Sequence, residues 1–77
     1  MITKLSEFQS AVNSWKLNRA FFSTVVRIGL EMGVSSRVLA DEVGVREDIL
    51  IGWAKGLAKP GFNIQDECVE ALVETLN

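Results

Sequence analysis

Apolar residues near the start of the chain recur at helical intervals. Leu5, Phe8, Val12 and Trp15 are separated by three, four and three positions, Ile2 extends the row, and Ser10, Asn13 and Ser14 fill the intervals. Such a stripe predicts an amphipathic helix over residues 1–15. Residues 16–18 read as a short connection in which Asn18 offers an N-cap oxygen. A second helix is predicted over 19–32, where Phe22, Val25, Val26 and Leu30 keep the spacing and Arg27 and Glu31 pair at i, i+4. The β-branched run Thr24, Val25, Val26 suits a strand for a few residues. Helix is the better reading, because the apolar pattern runs past it and Gly33 supplies a stop.

Three short helices are predicted after that. Ser35 or Ser36 caps the first, whose inward side is Val38, Leu39 and Val43, and Gly44 breaks it. The next covers 46–55 with Leu50 and Trp53 inward, Ile49 tucked partly into the core and Ile51 left outside. Gly56 ends it, and Pro60 with Gly61 forbids continuation. The last, over 63–76, carries Ile64, Cys68, Leu72 and Leu76 in a strict i+4 row with Val69 and Val73 beside them. Asp66, Glu67, Glu70 and Glu74 fall on its other face. The expectation is an all-α chain of about five short helices forming one domain over 1–77.

Composition narrows the chemistry. Seventy-seven residues, 48% of them apolar, suffice for one core and not two. There is no histidine and a single cysteine, which argues against a metal centre, a disulfide framework or histidine-based acid–base catalysis. No cofactor and no enzymatic activity are expected. The lone thiol fits a reducing cytoplasm. No apolar run reaches the ~18–20 residues of a membrane span, and the first residues lack the basic-then-apolar order of a signal peptide.

The net charge of −2 speaks against a polyanionic partner until its distribution is considered. Residues 63–77 hold four acids and no base, whereas 16–62 hold seven bases and five acids. A polyanion would therefore meet the middle of the chain.

That middle contains Leu39-Ala40-x-x-Val43-Gly44-Val45-x4-Leu50-x-x-Trp53-x-x-Gly56-x3-Pro60. Two helices crossing through a tight turn need a small residue where their backbones meet, and Ala40 supplies it. The turn needs one residue at positive φ, which Gly44 adopts without steric cost. Leu39, Val43, Val45, Leu50 and Trp53 are then the inward side chains of a helix–turn–helix over 36–56. On these residues the chain resembles the Cro- and phage-repressor-like helix–turn–helix domains of the lambda-repressor-like fold. The resemblance spans about residues 19–76, and the Trp53-x-x-Gly56-x3-Pro60 tail makes it more specific than the two-helix pattern alone.

The resemblance implies a sequence-specific regulator that binds double-stranded DNA, as a homodimer, with the helix over 46–55 in the major groove. It assigns Arg46, Glu47, Asp48, Ile51 and Gly52 to the outward positions of that helix, and Lys55 to its end. Ser36 and Arg37 open the preceding helix, where a phosphate would sit. Ser36 stands where relatives commonly carry glutamine, and the reading helix offers two carboxylates, an isoleucine and a glycine. Carboxylates accept from the cytosine amino group and Ile51 suits a thymine methyl. Either acid needs an arginine to offset it near phosphate, with Arg46 and Arg37 the candidates.

Each feature also has a plainer reading. Arg37, Arg46, Lys55 and Lys59 can be ordinary solvated charges, and acids in a helix's first turn are favoured by its dipole. Trp53 reads as core and Cys68 as a small buried hydrophobe. The stripe of the first helix either caps the core or mediates a dimer, with capping preferred. An alternative function is a helix–turn–helix reused as a protein-interaction adaptor, with a regulatory protein as partner. The acidic character of the reading helix supports it.

Overall fold

In the computed structural model, residues 4–76 are described, and no strand occurs among them. Five helices follow in order: α1 (Lys4–Leu17), α2 (Phe22–Glu31), α3 (Ser36–Val43), α4 (Glu47–Ala54) and α5 (Phe62–Leu76), with a 3₁₀ turn over Arg19–Phe21 before α2. The chain is a small all-α bundle, as its apolar periodicity predicts.

The centre is α2, which packs on α1, α4 and α5, while α3 packs on α4 and α5. Its Phe22, Val25 and Val26 are wholly buried, as are Leu50 of α4 and Cys68 and Leu72 of α5. At the crossing of α2 and α5, a Cβ on Gly29 would lie 2.6 Å from Leu72 Cδ2, so glycine permits this approach. Phe22 meets Trp53 edge to face, with 5.8 Å between ring centroids.

Local signals account for the helix ends. The Asn18 side chain accepts from Ala20 N at 3.0 Å and opens the 3₁₀ turn. Ser35 Oγ accepts from Val38 N at 3.3 Å and caps α3. Gly44 ends α3 at φ +85°, and both Gly44 N and Val45 N donate to Ala40 O. A side chain at that φ would be strained.

Several expectations are corrected. The first helix runs on to Leu17, because Asn18 N still donates to Ser14 O at 2.8 Å, which leaves only Asn18 as the connection. Ile2 lies outside the described residues. The predicted helix over 19–32 divides into the 3₁₀ turn and α2. Val38 is 55% exposed, not buried. Leu39, Ala40 and Val43 are the buried residues of α3, and at ~100° per residue Val38 falls roughly 150° from the middle of their face. The α1 stripe caps the core as preferred, since Phe8, Val12 and Trp15 are buried within the domain, although Leu5 of the same stripe is exposed.

Gln65 was not foreseen. It is 2% exposed amid the apolar row of α5. Its Oε1 accepts from Trp15 Nε1 at 2.9 Å, and its Nε2 donates to Pro60 O at 3.0 Å. One side chain thus satisfies the buried indole N–H of α1 and a carbonyl of the loop before α5. Arg19 reinforces the same junction, lying 4.3 Å from the Trp15 ring centroid and 5.0 Å from that of Phe62, with Asp66 Oδ1 at 2.6 Å.

Gln65→Leu keeps the volume and strands both partners, so it should destabilise the fold by about 2–4 kcal/mol in urea denaturation. A double-mutant cycle with Trp15→Phe should give a coupling of roughly 1 kcal/mol. A coupling of zero would mean that the Trp15–Gln65 bond does not hold α1 in place.

Candidate nucleic-acid interface

The turn at Gly44 folds α4 back against α3, and two apolar anchors fix which side of α4 faces out. Leu50 is wholly buried and Trp53 is 4% exposed, three residues apart on the inward face. Asp48, Gly52 and Lys55 then follow one another at i+4 and i+3 on the outer side, with Ile49 beside Gly52.

Ser36, Arg46, Glu47 and Asp48 come together at the start of α4. Ser36 Oγ donates to Glu47 Oε2 at 2.5 Å, joining the first turns of α3 and α4. Arg46 is the residue before α4, and its guanidinium grips Asp48 with two bonds: Nε to Oδ1 at 3.1 Å and Nη2 to Oδ2 at 2.9 Å. The Arg46 bonds hold the Asp48 carboxyl below the usual carboxylate range. Folding contributions from such a lowered group are present above the unfolded value and fade as pH falls through the folded one. Both side chains are largely exposed, so the pair is weak and opens readily.

The acids also do local work. No side chain caps α4, and Glu47 and Asp48 in its first turn answer the positive end of the helix. Both carboxylates therefore have satisfied partners or helix roles without any ligand.

The remaining predicted residues are spread more widely. Arg37 is exposed on α3 and makes no ion pair among the described residues, and the same holds for Lys55 at the far end of α4 and Lys59 beyond it. Lys55 lies about 13 Å along the helix from Arg46, so no single phosphate group joins them.

The two isoleucines exchange roles. Ile49, expected to tuck inward, is 43% exposed, whereas Ile51, expected outside, is half-buried. Ile51 follows Glu47 by one turn, on the side of α4 turned to α3 by the Ser36–Glu47 bond. A wheel for α4 alone does not contain that neighbour. Gly52 is half-buried and in helical conformation, and a Cβ placed on it would meet nothing within 4 Å. The surface therefore carries a notch one turn beyond Ile49.

No group of three His, Cys, Asp or Glu among the described residues is placed to hold a metal ion, and no helix among them is long and apolar enough to cross a membrane. Cys68 is wholly buried, and burial pushes its thiol up to about 12. It packs as a hydrophobe. An open groove of about 720 Å³ lies between α1 and α2 and shares no residue with α3 or α4. The Lys4–Glu31 ion pair bridges α1 and α2 at its rim, and Lys4–Glu7 and Arg27–Glu31 lie along the two helices.

No protein-family model matches the chain, and no curated protein or solved structure matches it either.

The notch has a measurable signature. Gly52→Ala adds helix propensity without a clash, so it should stabilise the protein by about 0.5–1 kcal/mol in urea denaturation. A loss of stability would contradict the open space at this position.

Proposed function

We propose that the chain is a sequence-specific DNA-binding regulator of the repressor type, bound to its operator as a homodimer with α4 in the major groove. The observation that carries this reading is the outward face of α4. It follows a tight turn, is held from behind by Leu50 and Trp53, and presents Arg46, Asp48, Ile49, Gly52 and Lys55 to solvent. Arg37 on α3 flanks it. The likeness to Cro- and phage-repressor-like domains, carried by Ala40, Gly44, Trp53, Gly56 and Pro60, points the same way.

Gly52 adds support of its own. Glycine within a helix costs stability relative to alanine, and no packing in the domain requires it there. Close approach of a groove edge to the helix backbone accounts for it. Dimerisation follows from size, because one domain of this kind covers little duplex. Two α4 helices ~34 Å apart would enter successive major grooves on one side of the DNA.

In this reading Arg37, Lys55 and Lys59 meet phosphates, and Arg46 is shared between Asp48 and the duplex. A second reading, the adaptor, draws on Glu47 and Asp48 at the tip of α4, which suit a cationic protein surface. Cytoplasmic location belongs to either reading.

Salt titration of duplexes selected from a random pool separates the two. Three phosphate contacts per subunit give a log–log slope of roughly −5 for a dimer, and Arg37→Ala should flatten it by about 2. Absence of affinity for any duplex would favour the adaptor. Asp48→Asn frees the Arg46 guanidinium and removes a charge that opposes phosphate. Its expected effect is a several-fold gain in duplex affinity with a slope steeper by about 1 per subunit. Unchanged affinity would place Arg46 outside the contact surface.

A further inference from the structure

We propose that Ile49 reads thymine, through its 5-methyl group, and is a specificity-determining side chain of α4; this rests on the DNA-binding reading above. The polar groups at the start of α4 already have partners. Asp48 holds the Nε and Nη2 edge of the Arg46 guanidinium in an exposed pair, so a guanine contact by Arg46 competes with that pair or is left to Nη1. Glu47, which would accept from the cytosine amino group, already accepts from Ser36 at one of its two carboxylate oxygens.

Ile49 has no such competitor. It is 43% exposed, in the first turn of α4, with its branched apolar end available. One turn further on, Gly52 leaves open space on the adjoining surface, so a groove edge can close over Ile49 without meeting a side chain. The thymine methyl is the apolar group that base edges offer in the major groove, and contact with an aliphatic side chain removes both from water. The half-buried Ile51 is turned toward α3 and is less free to make this contact. The predicted discrimination at a contacted thymine is about fourfold, the equivalent of one buried methylene.

The experiment starts from duplexes selected from a random pool and replaces thymines by deoxyuridine, one position per half-site at a time. This substitution removes the methyl and leaves base pairing unchanged. Dissociation constants are measured by fluorescence anisotropy for the unaltered protein, Ile49→Ala, Ile49→Val and, as a control on α3, Val38→Ala.

The unaltered protein should lose about fourfold at one thymine position, Ile49→Ala should be indifferent there, and Ile49→Val and Val38→Ala should keep a preference. Ile49→Val retains a branched apolar group, so the assignment stays testable even if the alanine variant folds poorly. Indifference of the unaltered protein at every thymine, or operators without thymine, overturns the assignment while leaving DNA binding intact. A methyl preference that survives in Ile49→Ala gives the role to another side chain. A pool that yields no bound duplex removes the DNA-binding reading itself, and this assignment with it.

Discussion

The contact of Phe22 with Trp53 decides what the surface of this molecule offers. Trp53 lies three residues after Leu50, and once both are buried the rotation of α4 about its axis has no freedom left. Turning the helix by one residue, ~100°, would expose an aromatic side chain that buries on the order of 150–250 Å². Exposed ion pairs and single surface side chains are too weak to pull against that. The outward row of Asp48, Gly52 and Lys55, with Ile49 beside it, is therefore a consequence of the core. Its chemistry can vary without disturbing the fold, which is what a recognition surface needs.

The same dependence reaches the first helix. Its Phe8, Val12 and Trp15 lie inside the domain, and Trp15 Nε1 would be an orphaned donor without Gln65. The Gln65 amide then passes its own donor to Pro60 O, so the loop that follows α4 is tied to the helix that begins the chain. Position and polarity are matched along this path, since no buried side-chain nitrogen or oxygen among the described residues lacks a partner. Phe8, Val12 and Trp15 of α1 and Cys68, Val69 and Leu72 of α5 are thus used within the domain.

Much of the architecture could be read from periodicity alone. Helix stripes located α1, α2, α4 and α5 within a few residues, and Gly33, Gly44 and Gly56, all at positive φ, marked three of the helix ends. The failures share a cause. Val38 was assigned inward from its neighbours Leu39 and Val43, although its angle on the helix sets it apart from them. The exchange of Ile49 and Ile51 depends on which flank of α4 is approached by α3, and only tertiary packing decides it. Gln65 carried no signal in the sequence, because polarity is a guide to exposure that fails where a buried tryptophan needs an acceptor. At the candidate site, residue types and positions were legible, and so was Arg46 as a candidate partner of the acids; that it takes Asp48 while Ser36 takes Glu47 was not. Such pairs depend on rotamers and on the approach of two helices.

Those pairings change how charge should be weighed. The molecule measures 35 × 24 × 20 Å, a few times the Debye length of ~8 Å at physiological salt. A ligand at α4 therefore responds to the charges nearest it far more than to the total of −2. There, Arg46 cancels Asp48, Glu47 is engaged by Ser36, and the unpaired cations Arg37, Lys55 and Lys59 lie around the rim. A polyanion meeting this arrangement would gain its attraction at the edges, from those cations, and would find a partly apolar centre that keeps one net negative charge, on Glu47. For a duplex, that division would keep non-specific affinity low, because few counterions would be released. In the DNA-binding reading proposed above, discrimination would depend on shape and methyl contacts at the centre, where Ile49 is exposed and Gly52 leaves open space.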